Sequence, residues 1–197
     1  MKFSLYLLII IGFLSFATNT ATAQLKVGDK APNFEGLNQT DKTVSLETLL
    51  KDGPVVLTFY RGEWCGYCNK YLSALDENYP KMKEMGANLI AISPELPKYI
   101  TEMADKMENS YDIVYGGTSI MEQYDVDFQL DKNTLVKYKL YGINLSKFNG
   151  NEDNTLPVPA TYVIDKSGTI VYKHFDENYK VRGDVEEIMT VLEGLQE

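Results

Sequence analysis

Apolar positions along the chain fall into two rhythms. PVVLTFY (residues 54–60) and NLIAIS (88–93) are short, continuous and rich in β-branched residues, which predicts buried strands. Asp112 to Tyr115 predicts a further short strand. Thr161–Ile164 and Thr169–Phe175, separated by Lys166-Ser167-Gly168, predict a pair of strands joined by a tight turn. From Cys65 the rhythm changes. Leu72, Leu75, Tyr79, Met82 and Met85 recur at spacings of three and four, predicting a helix that Pro80 kinks and Gly86 ends. Shorter helices are expected from Leu46 to the Asp52-Gly53-Pro54 stop, over Lys98–Met107 and over Ser119–Tyr124. A last helix starts at Asp184, with Glu187 as capping-box partner.

Two stretches lack a clear rhythm. LKVGDKAPNFEGL (25–37) carries Gly28 and Pro32 and reads as a turn-rich lead-in. Residues 126–155 are polar and irregular, helical only over Asn133–Tyr141, and the closing NGNEDNT (149–155) reads as mobile. Strands otherwise alternate with helices. The expected fold class is therefore α/β, with a mixed central sheet whose mostly parallel strands are closed by an antiparallel pair.

The start of the chain is different in kind. Lys2 is followed by an apolar run, Phe3 to Ala17, and then by small and polar residues ending Ala21-Thr22-Ala23. The run is about 15 residues, short of the ~20 that span hydrocarbon. This is the layout of a secretory signal over residues 1–23, cleaved before Gln24 and leaving no membrane anchor. Residues 24–197 then form one domain in a periplasmic or extracellular, oxidising setting. A formal net charge of −9 repels phosphate backbones, so nucleic acid is not an expected partner.

The chain has two cysteines, Cys65 and Cys68, in FYRGEWCGYC (59–68). They admit three uses: a staple, half of a metal site, or a redox pair. A disulfide closing four residues stabilises by only about 1.9 kcal/mol in the chain-entropy picture, against about 4.7 for a loop of a hundred. Zinc needs two further ligands, and His174 is the only histidine. The redox reading remains. Cys65 falls where a buried strand passes into a helix, and unpaired N–H groups there favour a thiolate. Cys68 lies one turn further along.

Trp64 would shield the dithiol and offer a flat surface to a protein partner, or simply pack. Arg61 would stabilise a thiolate or orient a peroxide oxygen, although as a lone arginine it reads first as a solvated surface residue. Glu63 is expected to be exposed. In LPVPATYVID (156–165), Pro159 precedes a strand, where X-Pro bonds can be cis. Local sequence alone leaves a plain loop proline and a cis Pro159 facing the dithiol equally open.

With these residues in order, the chain resembles the thioredoxin superfamily, implying an α/β/α sandwich and a cis Pro159 that faces the dithiol. GDKAPNF, FYRGEWCGYC, NLIAISPE and LPVPATYVID together resemble the alkyl hydroperoxide reductase and thiol-specific antioxidant family, in its peroxiredoxin-like branch with FYRG-x-WC-x-YC. The resemblance runs from about Val27 to the end and is weakest over 126–155. It implies that Cys65 attacks a peroxide and becomes a sulfenic acid, that Cys68 condenses with it, and that a thioredoxin-like dithiol reduces the disulfide. Arg61, Trp64 and Pro159 support the site, and no metal or organic cofactor is implied.

One departure stands out. Typical members hold Pro-x-x-x-Thr-x-x-Cys; here Thr58 and Gly62 occupy the proline and threonine positions. Arg182 is the only arginine after the pair, with no sequence signal linking it to the site. Gly66-Tyr67 and Val-Pro-Ala also resemble exported disulfide isomerases and oxidases, which lack the GDKAPNF stretch. Two alternatives therefore stand beside the peroxidase: an exported thiol–disulfide oxidoreductase, and a binding module with a passive disulfide.

Overall fold

The computed structural model describes residues 24–150, 152 and 154–196, so the expected signal over 1–23 lies outside the described residues. The lead-in ends in β1 (Glu35–Leu37), which pairs antiparallel with β2 (Thr43–Ser45) in a hairpin that the sequence reading did not anticipate. Asn38 makes its turn: Oδ1 accepts from the Thr40 and Lys42 N–H groups, and Nδ2 donates to Asp112. Three-residue strands are too short to show a period. Ser45 then caps α1 (Leu46–Asp52), accepting from the Thr48 N–H, and the helix stops at Gly53 as expected. A Cβ at Gly53 would lie 1.8 Å from the Gly86 carbonyl oxygen, so this crossing of two backbones requires glycine.

The predicted strands follow as β3 (Val55–Phe59), β4 (Asn88–Ser93) and β5 (Asp112–Tyr115). Between β3 and β4 runs α2 (Gly66–Glu84), 19 residues that pass through the exposed Pro80 without a break. Helix α3 (Pro97–Met107) joins β4 to β5, and α4 (Ser119–Gln123) follows. The pair β8 (Ala160–Ile164) and β9 (Ile170–Phe175) leads to α7 (Val185–Gly194). Asp184 caps α7 by accepting from the Glu186 N–H. The expected return bond from Glu187 is replaced by one from the Tyr172 hydroxyl, which turns that carboxylate toward β9.

The irregular stretch is more structured than the sequence suggested. It holds β6 (Asp127–Gln129), α5 (Lys132–Leu140), α6 (Leu145–Asn149) and β7 (Thr155–Pro157), with β6 and β7 paired antiparallel. The expected mobility of NGNEDNT falls partly on residues 151 and 153, which lie outside the described residues. Its two ends are built in, Asn149 buried in α6 and Thr155 in β7.

The main sheet has the order β5-β4-β3-β8-β9, with β3 central. Strands β3, β4 and β5 are parallel; β8 and β9 run antiparallel to their neighbours. This is the mixed sheet expected. Successive side chains of β3 point to opposite faces. Val56 packs with Leu72, Leu75, Met82, Ile188 and Leu192 under α2 and α7, whereas Val55, Leu57 and Phe59 pack with Phe34, Leu46 and Tyr124 on the other side. Helices cover both faces, and the C-terminal end of the central strand opens onto the dithiol. Among the described residues, no helix is long and apolar enough to cross a membrane.

Candidate active site

The site begins where β3 ends. The Tyr60 N–H still donates to the Ile92 carbonyl at 3.0 Å, so the sheet carries the chain to the residue before Arg61. Gly62 then turns it with φ +148°, a conformation side chains rarely adopt. A Cβ here would stand 2.5 Å from Trp64 Nε1 and 2.6 Å from Glu95 Oε1. The turn is fixed from three sides. Cys65 N–H donates to the Gly62 carbonyl at 3.0 Å, Glu63 N–H to Glu95 Oε2 at 2.9 Å, and Asn69 Nδ2 to the Glu63 carbonyl at 2.7 Å.

Cys65 is the N-cap of α2, with its Sγ accepting from the Cys68 N–H at 3.3 Å. The two cysteines form a disulfide, with Cα atoms 5.2 Å apart. The bridge closes within the first turn of a helix that is fully formed from Gly66. Both sulfurs are nearly removed from solvent, Cys65 being 3% exposed and Cys68 0%. The redox pair therefore sits at the helix N-terminus that the sequence indicated, where the dipole of a 19-residue helix favours negative charge on Cys65.

Arg61 corrects an expectation. It is not a solvated surface residue but 4% exposed. Its Nη2 donates to Cys65 Sγ at 3.3 Å and its Nη1 to the Tyr138 hydroxyl at 2.8 Å. Its guanidinium lies 3.7 Å from the centre of the Tyr179 ring and 5.3 Å from that of Trp64. Aromatic faces attract a guanidinium, so two rings and a phenol hydroxyl supply what solvent otherwise would. Arg182, which had no visible link to the site, reaches it from the loop before α7: Nη2 donates to Cys68 Sγ at 3.1 Å. The chain contains only these two arginines, and each addresses one sulfur. Among the described residues neither is ion-paired with a carboxylate. Burial lowers the pKa of Arg61, and burial with Arg61 nearby brings Arg182 down to about 10. Both cations gain if an anion forms beside them, and a thiolate is the anion at hand.

Trp64 is half-buried, edge-on to Tyr138 at 5.4 Å between ring centres, so it packs as well as shields. Glu63, expected to be exposed, is half-buried through an ion pair with Lys106. Among the described residues, the Thr58 hydroxyl bonds the Ala160 carbonyl and Thr161 rather than a sulfur. It meets the Thr161 hydroxyl at 2.9 Å, and Thr161 meets the Tyr71 hydroxyl at 3.2 Å, forming a buried chain between β3, β8 and α2. Burial pushes Tyr71 up to about 12.

Pro159 requires a correction. No cis peptide occurs among the described residues, so its bond is trans. The reason lies in its neighbours. Thr155–Pro157 pair with β6, and the Val158 N–H donates to the Val126 carbonyl at 2.6 Å, so the chain runs extended into β8. Pro159 is buried and does not line the cleft at Cys65.

That cleft, about 230 Å³, is lined by Cys65 and Arg61 and by the rings of Trp64, Tyr67, Tyr138 and Tyr179. Sequence reasoning missed Tyr138, Tyr179, Arg182 and Glu95. Glu95 is fully buried behind the Gly62 turn, and burial raises its carboxyl to about 7. Its only sequence signal is an acidic residue directly after a buried strand, in SPE. Tyr138 sits in a helix with no buried residue, so no period marks it.

Known proteins resemble this chain in sequence and in fold. A profile of the AhpC/TSA family matches residues 27–173. The thiol-disulfide oxidoreductase ResA of Bacillus cereus is 30% identical over 159 residues, 80% of this chain and 74% of the relative. Chloroplastic peroxiredoxin Q of Populus jackii is 30% identical over 192 residues, 92% of this chain and 79% of the relative. Among solved structures, peroxidoxin BcpB from Mycobacterium tuberculosis superposes with a TM-score of 0.69 at 20% identity, over 87% of this chain and 99% of that one. Xylella fastidiosa PrxQ gives 0.69 at 14% identity, over 89% and 99%. At such identities these structures show the fold alone, a thioredoxin-like α/β/α sandwich.

Proposed function

The chain belongs to the AhpC/TSA family of thiol redox proteins, and we propose that it is a thiol-dependent peroxidase that reduces hydrogen peroxide or organic hydroperoxides. The Cys65 thiolate attacks the terminal oxygen of the hydroperoxide. An S–O bond forms, the O–O bond breaks, and the departing alkoxide takes a proton to leave as alcohol, or as water from hydrogen peroxide. Cys68 then displaces hydroxide from the sulfenic acid, giving the Cys65–Cys68 disulfide and water. A thioredoxin-like dithiol protein returns two electrons and two protons. No metal or organic cofactor enters the cycle. The setting is exported, periplasmic or extracellular.

One observation carries this reading: both arginines of the chain donate to the two sulfurs, and neither has a carboxylate partner among the described residues. Such a site favours Cys65 as thiolate before substrate arrives, and it places fixed positive charge where an O–O bond would break.

A second reading, an exported thiol–disulfide oxidoreductase acting on protein disulfides, is supported by Gly62, which brings no hydroxyl to the substrate, and by the equal similarity to ResA. The two are separated by supplying residues 24–197 with one common electron donor and comparing peroxide consumption with reduction of a protein disulfide. Faster turnover of peroxide supports the peroxidase. Turnover of the protein disulfide alone replaces it with the second reading.

A further inference from the structure

Cleaving an O–O bond places negative charge on the departing oxygen, and an oriented hydrogen-bond donor there lowers the barrier. Residue 62 cannot carry that donor. Its positive φ and the 2.5 and 2.6 Å approaches of Trp64 and Glu95 leave no room for a side chain. Arg61 already has one Nη on the Cys65 sulfur and the other on the Tyr138 hydroxyl. The hydroxyl and the nucleophile are thus tied to two nitrogens of one planar group, and both line the same cleft.

The Tyr138 oxygen accepts from Arg61 at 2.8 Å. A guanidinium has no lone pair to offer, so the hydroxyl hydrogen cannot point back to it. Among the described residues, no hydrogen bond takes that hydrogen elsewhere. The ring is held by the edge-on contact with Trp64 at 5.4 Å. The other rings are placed differently. Tyr179 lies face-on to Arg61 at 3.7 Å, while Tyr67 and Tyr141 are 48% and 81% exposed.

We propose that the Tyr138 hydroxyl is the donor that binds the departing oxygen of the hydroperoxide at Cys65, so that α5 supplies a catalytic residue to the site. The proposal rests on the peroxidase reading. As Cys65 Sγ forms its bond to the terminal oxygen, the O–O electrons pass to the departing oxygen. The phenol hydrogen bonds to that oxygen, and solvent delivers the proton that completes the alcohol. Tyr138 ends unchanged. The irregular stretch 126–155 thereby gains a purpose: it brings this hydroxyl to the cleft that Cys65 lines.

The test is Tyr138→Phe in the full chain, which keeps the ring and removes only the hydroxyl on a helix with no buried residue. Two rates are measured on the reduced protein at one pH: disulfide formation under cumene hydroperoxide, followed through Trp64, the only tryptophan, and alkylation of Cys65 by iodoacetamide. Peroxide oxidation should slow by about 10²-fold or more, while alkylation stays within about twofold. Oxidation at the parent rate overturns the proposal. So does a parallel loss of both rates, which makes Tyr138 only a prop for Arg61. If the unsubstituted protein reduces protein disulfides but is not oxidised by the hydroperoxide, the peroxidase reading fails, and this proposal with it.

Discussion

Replacing Arg61 with methionine removes a charge and keeps an unbranched apolar stem among Trp64, Tyr138 and Tyr179. In the disulfide form, Nη2 lies 3.3 Å from Cys65 Sγ; with that position kept after reduction, the guanidinium faces a thiolate. Spreading the charge over the guanidinium puts the effective separation near 4 Å. Two unit charges at that distance interact by about 4 kcal/mol at an effective dielectric of ~20. Arg61 is 4% exposed, so solvent screens little of this. At 1.36 kcal/mol per unit, the ceiling is about three pH units, and relaxation of the emptied space brings the expected rise to between about one and three. The assay is alkylation of the reduced protein across pH, with the modified cysteine identified by mass. The midpoint for Cys65 should move up by at least one unit in Arg61→Met, and peroxide oxidation at pH 7 should fall by about tenfold or more. Arg182→Met should move Cys68 instead. A Cys65 midpoint unchanged by Arg61→Met would refute the claim that this arginine holds the thiolate.

Three further outcomes follow from the same geometry. Gly62→Thr should lower stability by about 2 kcal/mol or more in urea unfolding, because residue 62 has positive φ and no space for a Cβ; a stable variant with faster peroxide oxidation would contradict this. Glu95 ionises near 7 when folded, above its ordinary value of 4.5, so the unfolded chain releases this proton first. Its contribution therefore falls as pH rises from 4.5 to 7 and is level above, by about 3 kcal/mol in total. Unfolding of Glu95→Gln across that window should show its stability gaining on the parent as pH rises, and a constant difference would count against a buried neutral carboxyl. Thr161→Val should destabilise by about 1–3 kcal/mol, since it leaves the buried hydroxyls of Thr58 and Tyr71 short of a partner; an unfolding midpoint equal to the parent's would show that the chain of hydroxyls carries no stability.

The elements that position the dithiol were legible in the sequence because each has a period or a stop. Val55–Phe59 is a continuous apolar run, Leu72 to Met82 keeps helical spacing, and Gly53 ends α1 where two backbones cross. The cysteine pair was legible from its place between them. What could not be read were contacts that depend on reach. Arg182 lies 114 positions from Cys68 and finds it only because α7 folds back onto α2. Arg61 read as a surface residue because a cation among aromatic rings requires Tyr138 and Tyr179, which are remote in sequence. Glu95 looked like an ordinary acid at a strand end, and only the Gly62 turn closing over it makes it buried. The Pro159 isomer was set by the pairing of β7 with β6, two three-residue strands too short to announce themselves.

The central claim is that Cys65 is oxidised by a hydroperoxide and then resolved by Cys68. Cys68→Ser separates those steps. Reduced Cys68→Ser treated with hydroperoxide should accumulate a sulfenic acid at Cys65, captured by dimedone and located by mass, while the parent yields the disulfide and little adduct. If Cys65 in that variant stays unoxidised under hydroperoxide yet forms a mixed disulfide with an oxidised protein, the peroxidase account is contradicted, and the chain is a thiol–disulfide oxidoreductase.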